Sequence, residues 1–187
     1  MTEEIFRRDA YMFEFESTVI SVDGDIVELE SSAFYPGGGG QVCDTGNIRG
    51  ERVTEAFYKG DSIVHRVPGT KLKVGDRVWC GVDWERRYDL MKGHTGEHLL
   101  FCSLKRQDPE LEITKIFISP ESKYVIVNHD MDWNGIRAAT AFANAAIRDA
   151  LPVSKSFMDR DDPDLADVRI KMDRIGEDEE ISVVSIG

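Results

Sequence analysis

The five residues His94-Thr95-Gly96-Glu97-His98 are the part of the sequence that most restricts the fold. Histidines four positions apart lie one above the other on an α-helix, about 40° apart around its axis. Two imidazole nitrogens at that spacing can bind one metal ion, and Zn²⁺ is the usual occupant of such sites. Glu97 falls about 60° to the other side of His94, where it can act as the base for a metal-bound water. Two hydrogen-bonded histidines on an amphipathic helix are the simpler alternative.

The residues on both sides of this motif predict one long helix. It runs from about Trp84 to Gln107, with Asp83 at its N-cap. The apolar positions that set its period are Tyr88, Met91, Leu99, Leu100, Phe101 and Leu104. Gly93 and Gly96 lie inside the helix at a cost of ~1 kcal/mol each relative to alanine. They indicate either a ligand close to the helix backbone or tight packing against a neighbouring element.

The residues before this helix have the pattern of short β-strands. Alternating runs at 11–22 and 26–30 flank Asp23-Gly24-Asp25, which predicts a β-hairpin. Further strands are predicted at 52–58, 62–67 and 76–82, separated by turns that contain glycine. Evenly spaced short strands of this kind are typical of a small barrel or an open sheet. We therefore predict a glycine-rich β-barrel module over residues 1–82.

The residues after the helix predict an α+β core over 83–187. Two strands are expected at 111–118 and 123–129, followed by an alanine-rich helix at 134–151. Three more strands are predicted at 155–158, 168–175 and 180–186, the last two as a pair. This order favours a two-layer arrangement in which the helices cover an antiparallel sheet.

Four consecutive glycines at 37–40 form a second motif, between Phe34-Tyr35-Pro36 and Gln41. Glycine loses more conformational freedom on folding than other residues, so such a run is costly to order. Either a backbone conformation that other residues rarely adopt or the close approach of another group explains it. No Gly-Lys-Ser/Thr and no helix follows it, so neither a P-loop nor a dinucleotide-binding motif is indicated. A flexible barrel turn is one interpretation. The aromatic and proline residues before it favour a loop held at a fixed place.

The composition restricts the class of protein. The chain has 187 residues, of which 41% are hydrophobic, and this is typical of one large or two small globular domains. The apolar runs are shorter than the ~18 residues of a membrane span, and the first ten residues are not signal-like. Three scattered cysteines indicate reduced thiols, so we expect a cytoplasmic protein. A net charge of −12 disfavours non-specific nucleic-acid binding, although Lys and Arg residues between 71 and 106 can form a local basic face.

The two motifs together resemble a known family. Phe34-Tyr-Pro-x-Gly-Gly-Gly-Gln-x-x-Asp-x-Gly46 is followed, about fifty residues later, by His94-Thr-x-x-His-Leu-Leu100. This pairing resembles the editing domain of alanyl-tRNA synthetase and its free-standing relatives, the AlaX-type trans-editing proteins. Weaker matches at Asn144, Ile147, Pro152-Val153 and 183–187 extend the resemblance over nearly the whole chain.

The resemblance implies hydrolysis of the ester that joins a wrong amino acid to tRNA(Ala). Serine is the usual target, and glycine for some members. The implied metal is Zn²⁺ on His94 and His98, and the implied partner is the acceptor end of tRNA(Ala). Gln41 is expected to act in catalysis and to contact the amino acid or the terminal ribose. The other expected substrate-binding residues are Ser32, Gly38, Gly39, Gly40 and Thr95.

Two features differ from the family pattern. Ser32 stands where the family commonly has threonine. The hydroxyl that would contact the side chain of a serine substrate is therefore kept. Selectivity between serine and glycine substrates stays open. The family's other two metal ligands, a cysteine and a histidine, follow the Val-Val-x-Ile-Gly strand, and this sequence ends at Gly187. Cys102 is not expected to replace them, because it is about 12 Å from His94 along a straight helix. His65 and His129 are expected to be structural.

Three other functions stay open. His-x-x-Glu-His is also the signature of inverzincin metallopeptidases, in which Glu97 would be the general base. A threonyl-type editing domain uses the same His-x-x-x-His arrangement. A non-catalytic remnant that binds tRNA or another partner, without metal, is the third possibility.

Overall fold

The computed structural model of the protein describes residues 2–163, 165 and 181–187. The elements of the first half are β1 Glu3–Glu4, α1 Ile5–Arg8, β2 Glu14–Asp23, β3 Ile26–Leu29, β4 Ser31–Ser32, β5 Gly46–Ile48, β6 Glu51–Val53, β7 Glu55–Lys59, β8 Ser62–Arg66 and β9 Arg77–Val82. Those of the second half are α2 Trp84–Gln107, β10 Ile113–Ile118, β11 Lys123–Val127, α3 Trp133–Arg148, β12 Val153–Met158 and β13 Ile181–Ile186. Among these helices, none is both long and apolar enough to cross a membrane.

The first half is a curled antiparallel sheet of seven strands, in the order β6-β5-β9-β2-β3-β8-β7. It curls because the first half of the long strand β2 pairs with β9, while its second half pairs with β3 after a register shift at Val19 and Ser21. The hairpin predicted around Gly24 is confirmed, since Asp23 pairs with Ile26 across a turn in which Gly24 has a φ of +58°. In the described ladders β6 and β7 are the two edges, so closure into a barrel stays a prediction.

The concave side of this sheet holds the larger hydrophobic core. Its buried members include Phe15, Val19, Val27, Leu29, Phe34, Ile48, Val53, Val78 and Cys80. Inward-facing residues alternate with exposed ones along β2 and β9, as expected for strands with one buried face.

The predicted helix Trp84–Gln107 is confirmed as α2. Asp83 occupies the N-cap position, and its carbonyl accepts a 2.9 Å hydrogen bond from the amide of Arg87. Its carboxylate does not cap the helix but accepts from Thr45 Oγ1 at 2.5 Å and pairs with Arg52 at 2.8 Å. Burial opposes ionisation here, but these two contacts outweigh it and hold the pKa of Asp83 below its usual value.

The second half is α+β, but its strands are arranged differently from the prediction. α2 packs on α3 through a small core of Phe101, Leu104, Leu111 and Ala139. In the described residues, β10 pairs with β11 and β12 pairs with β13 as two separate ladders, so the predicted single sheet is not observed. The strand predicted at 168–175 lies outside the described residues. The predicted boundary near Asp83 stays a prediction.

Candidate active site

Helix α2 brings His94, Glu97 and His98 together on one face. The two imidazole rings are stacked, with centroids 5.2 Å apart and planes 10° from parallel. Glu97 Oε2 lies 3.7 Å from Nε2 of His98. One donor atom from each of the three side chains lies within 4.8 Å of the other two. Residues three and four positions apart are neighbours on a helix, and this explains the cluster.

Gln41 lies in contact with this cluster. Its Oε1 is 2.9 Å from Nδ1 of His94, although the two residues are 53 positions apart. Because an amide oxygen only accepts, Nδ1 of His94 is the donor, and the lone pair of the ring is on Nε2. Gln41 is only 8% exposed, so its side chain is held in place. A histidine oriented in this way is prepared to bind a metal ion through Nε2.

The glycine loop, residues 37–40, lies over His94. All four glycines have positive φ, at +83°, +136°, +59° and +89° in chain order, which side chains rarely adopt. A Cβ atom on Gly39 would lie 3.7 Å from Cε1 of His94. A Cβ atom on Gly40 would lie 2.7 Å from the carbonyl oxygen of Ile116. The run of glycines thus allows the loop to approach both α2 and β10.

Backbone hydrogen bonds join the glycine loop to β10. The amide of Ile118 donates to the carbonyl of Gly40 at 2.8 Å, and the amide of Val42 donates to the carbonyl of Ile118 at 3.0 Å. Gly38 and Gln41 also exchange two backbone hydrogen bonds, at 3.0 and 2.9 Å. The loop is therefore tied to a fixed place, as its aromatic and proline lead indicated.

The segment after Gln41 is fixed to the first turn of α2. Arg87 Nε donates to Asp44 Oδ2 at 2.8 Å, and the guanidinium also donates to the carbonyls of Ala10 and Ala33, at 2.8 and 2.5 Å. Arg87 is 2% exposed and Asp44 is fully buried. We call this ion pair the Asp44–Arg87 clamp. The sequence did not point to Arg87, because no local pattern distinguishes a buried arginine from an exposed one.

Comparison with known proteins finds several relatives of this chain. A family model described as tRNA synthetases class II (A) matches residues 5–86. The chain is 40% identical over 128 residues to the alanyl-tRNA editing protein AlaX-M of Saccharolobus solfataricus, covering 65% of this chain and 54% of that protein. It is 32% identical to the alanyl-tRNA editing protein AlaX-L of Pyrococcus horikoshii over 100% of this chain and 48% of that protein.

The chain is similar in sequence to the alanyl-tRNA editing proteins. It is also 46% identical over 110 residues to an alanine–tRNA ligase of Pyrobaculum calidifontis, covering 56% of this chain and 12% of the ligase. The chain spans about half the length of the two editing proteins it matches. The predicted family resemblance is confirmed.

Two other predicted substrate-binding residues make contacts within the protein. Thr95 Oγ1 donates to the carbonyl of Met91 at 3.1 Å. Ser32 is fully buried, and its Oγ is 2.8 Å from Nε2 of His65. His65 Nδ1 lies 3.1 Å from the carbonyl of Val27, so Nδ1 is the donor and Nε2 accepts from Ser32. The Ser32 hydroxyl is thus hydrogen-bonded within the first half of the chain, and its predicted contact with the substrate stays a prediction.

The remaining histidine and cysteine candidates lie apart from the cluster. His129 is exposed, and its Nε2 is 2.7 Å from Asp108 Oδ2. Cys102 is exposed. In the part of the chain that the structure describes, the one group of metal-type donors is His94, Glu97 and His98.

The His94, Glu97 and His98 cluster fits a zinc ion chemically. Two imidazoles and a carboxylate are a donor set that zinc binds in hydrolases, with a further position open for water or substrate. The contact of Gln41 with His94 supplies the outer hydrogen bond that metal-binding histidines usually have. Glu97 is close enough to act either as a third ligand or, as predicted, as the base.

Proposed function

We propose that this chain hydrolyses the ester bond of mischarged tRNA(Ala), releasing serine and, as a second substrate, glycine. The observation that carries the proposal is the contact between Gln41 and His94 beneath the glycine loop. It joins the family's two motifs into one site. The names of the relatives, alanyl-tRNA editing proteins AlaX-M and AlaX-L, support the same reaction. A tRNA substrate implies a cytoplasmic location.

Each residue of the site has a role in this proposal. His94 and His98 would hold Zn²⁺, which supplies Lewis acidity when bound. The Glu97 carboxylate takes a proton from the water that attacks the ester carbonyl and returns it to the ribose oxygen as the acyl C–O bond breaks. Gln41 orients His94 with its amide oxygen, and its amide nitrogen donates to the amino acid or the terminal ribose.

The glycine loop would bind the aminoacyl end of the substrate. Gly38, Gly39 and Gly40 are exposed and carry no side chain, so an aminoacyl ester can approach His94 closely. Thr95 follows His94 on α2 and would contact the same end of the substrate. The expected partner is the acceptor end of tRNA(Ala).

Removing the histidines tests the proposal. We expect His94→Ala and His98→Ala each to lower zinc content and to reduce deacylation of Ser-tRNA(Ala) by roughly 100-fold or more, since the ligands act on chemistry. Circular dichroism should show an unchanged fold. His129→Ala is the matched control, because His129 is exposed and bonded to Asp108. Normal deacylation by the His94→Ala/His98→Ala variant would remove metal catalysis from the proposal.

Replacing Gln41 separates catalysis from tRNA binding. We expect Gln41→Ala to lower kcat about 10- to 100-fold, because His94 loses the hydrogen bond that orients it. The affinity for tRNA(Ala) should change much less. Gln107→Ala, at the end of α2, is the control. Equal losses of kcat and affinity would mean that the loop docks tRNA without acting on the ester.

The same assays address the three other functions. Peptidase activity without ester hydrolysis would indicate a metallopeptidase, to which Glu97 in the cluster would contribute. Deacylation of mischarged tRNA(Thr) in place of tRNA(Ala) would indicate a threonyl-type domain. No hydrolysis of any substrate by a chain loaded with zinc would indicate a non-catalytic remnant.

A further inference from the structure

Four aromatic side chains form a continuous surface beside the first turns of α2. Trp84 is the centre, with ring centroids 5.7 Å from Tyr11, 5.2 Å from Phe13 and 5.5 Å from Tyr88. Tyr11 is 61% exposed, and Phe13 and Tyr88 are also exposed. We call these four residues the aromatic patch. Contiguous exposed rings on a soluble protein mark an interaction site more often than isolated ones do.

The backbone beneath the aromatic patch is held on both sides. Arg87 Nη1 donates to the carbonyl of Ala10 at 2.8 Å, next to Tyr11. The amide of Val82 donates to the carbonyl of Phe13 at 2.7 Å. Trp84 and Tyr88 lie on successive turns of α2, and their rings are nearly parallel, with 19° between the planes. A partner would therefore meet a surface that is already ordered, at a low entropic cost.

Charge next to the aromatic patch favours RNA as the partner. Lys92 Nζ lies over the Tyr88 ring, 4.9 Å from its centroid, one turn further along α2. Asp89 is paired with Lys123 at 2.7 Å, so its charge does not oppose a phosphate. A row of aromatic rings with an ammonium group at one end suits single-stranded RNA. The bases of such RNA stack on aromatic side chains, and its phosphates pair with cations.

We propose that the aromatic patch and Lys92 bind the unpaired 3′ nucleotides of tRNA and deliver the terminal one to His94 and His98. This inference rests on the proposed function, since it assumes an RNA substrate. Tyr88 precedes His94 by six residues, which is about 9 Å along the helix axis. It lies about 120° from His94 around that axis, and about 80° and 15 Å from His98, so the RNA would follow the surface of α2 from the aromatic patch to the site. With a net charge of −12, the chain gains little from phosphate contacts, and base stacking supplies affinity in their place.

Two tyrosines with equal exposure provide the test. Tyr88 and Tyr124 are both 42% exposed, and Tyr124 lies on β11, outside the aromatic patch. The probe is an unpaired RNA hexanucleotide that ends in CCA. We expect Tyr88→Ala to weaken its binding roughly tenfold, as the loss of one stacked base does, and Tyr124→Ala to leave it within about twofold.

Fluorescence of Trp84 gives a direct readout of stacking. The chain has three tryptophans, so Trp79→Phe/Trp133→Phe leaves Trp84 as the single reporter. We expect the hexanucleotide to quench this emission and a blunt duplex of the same sequence to leave it unchanged. Equal quenching by both RNAs, or by neither, would overturn the proposal.

Deacylation of Ser-tRNA(Ala) then separates this inference from the proposed function. With Tyr88→Ala we expect KM to rise about tenfold with little change in kcat. Binding and quenching that depend on Tyr88, in a chain that deacylates no substrate, would support the surface and refute the function. Normal deacylation with unchanged KM and hexanucleotide affinity would refute the surface alone. If Tyr88→Ala instead abolishes self-association in sedimentation, the patch is an interface between copies and the proposal is overturned.

Discussion

At the scale of single residues, His65 shows how burial fixes the role of an ionisable group. The side chain is fully buried inside the curled sheet and bonded to Ser32 and to the carbonyl of Val27. Burial lowers the pKa of His65 to about 4, although the hydrogen bond to Val27 opposes this shift. The ring is therefore neutral at physiological pH, and it serves the core of the first half.

This shift predicts how stability depends on pH. Between pH 6.5 and 4 the unfolded chain binds a proton at His65 that the folded chain excludes, so stability falls as the pH falls through that window. The free energy of unfolding falls by about 3 kcal/mol between pH 6.5 and 4. Urea unfolding at pH 7 and at pH 4.5 measures it. His65→Gln should flatten the dependence; a slope equal to that of the unaltered chain would contradict this account.

Ser32 and Arg87 show what sequence reasoning could not determine at this scale. The resemblance predicts that the Ser32 hydroxyl contacts the substrate, but it gives no indication of the hydrogen bond to His65, 33 positions away. Arg87 lies in the first turn of α2, where a helical pattern predicts an exposed cation, and it is buried because Asp44 lies beside it. The environments of Ser32 and Arg87 thus depend on residues that are distant in sequence.

At the scale of elements, the glycine loop predicts a sharp difference between two alanine substitutions. Gly40 has a φ of +89° and Gly75 has a φ of +90°. Alanine at either position therefore destabilises the folded state by about 1–2 kcal/mol through backbone strain. A Cβ on Gly75 meets nothing within 4 Å, whereas one on Gly40 lies 2.7 Å from the side chain and carbonyl of Ile116. Gly40→Ala must therefore move the loop, and Gln41 with it, away from β10.

Deacylation and unfolding measure the two consequences separately. We expect both variants to unfold at reduced urea concentrations, Gly40→Ala the more so because of its contact with Ile116. Gly40→Ala alone should lose roughly 100-fold in kcat, because small displacements at a reacting centre are costly. If Gly75→Ala loses as much activity, strain alone explains the result and the contact with Ile116 is unimportant.

The elements that the sequence predicts well are those defined by local patterns. α2 and the hairpin at Gly24 are confirmed, since helical periodicity and a two-residue turn depend on neighbouring residues. The pairing of β12 with β13 was not predicted, because alternation gives the faces of a strand but not its partner. β5 was missed, as three residues beginning with glycine carry no recognisable period.

At the scale of the whole molecule, the site is built between the two halves of the chain. Gln41 and the glycine loop come from the first half, and His94, Glu97 and His98 come from α2. The loop is bonded to β10 through Ile118 on one side and to α2 through the Asp44–Arg87 clamp on the other. The two sequence motifs predicted a shared site, but the contacts that join them become visible only in three dimensions.

The Asp44–Arg87 clamp predicts that one buried charge determines the stability of this arrangement. Arg87→Met would leave the Asp44 carboxylate buried without its cation, and Asp44 Oδ1 already has no hydrogen-bond partner in the described part of the chain. Losing one partner of a buried pair costs about 3–5 kcal/mol. For a chain of this size, that corresponds to a fall in Tm of roughly 10 °C.

Thermal unfolding of three variants decides whether the Asp44–Arg87 clamp has this effect. Lys59→Met is the control, because Lys59 and Asp23 form a pair 3.7 Å apart with side chains 64% and 81% exposed, and such pairs contribute little. Asp44→Asn/Arg87→Met removes both charges, so it should recover part of the Tm that Arg87→Met loses. Arg86 Nη2 also donates to the carbonyl of Cys43, at 3.1 Å. A fall for Arg87→Met no larger than that for Lys59→Met would show that this contact and those through Ile118 hold the two halves together without the ion pair.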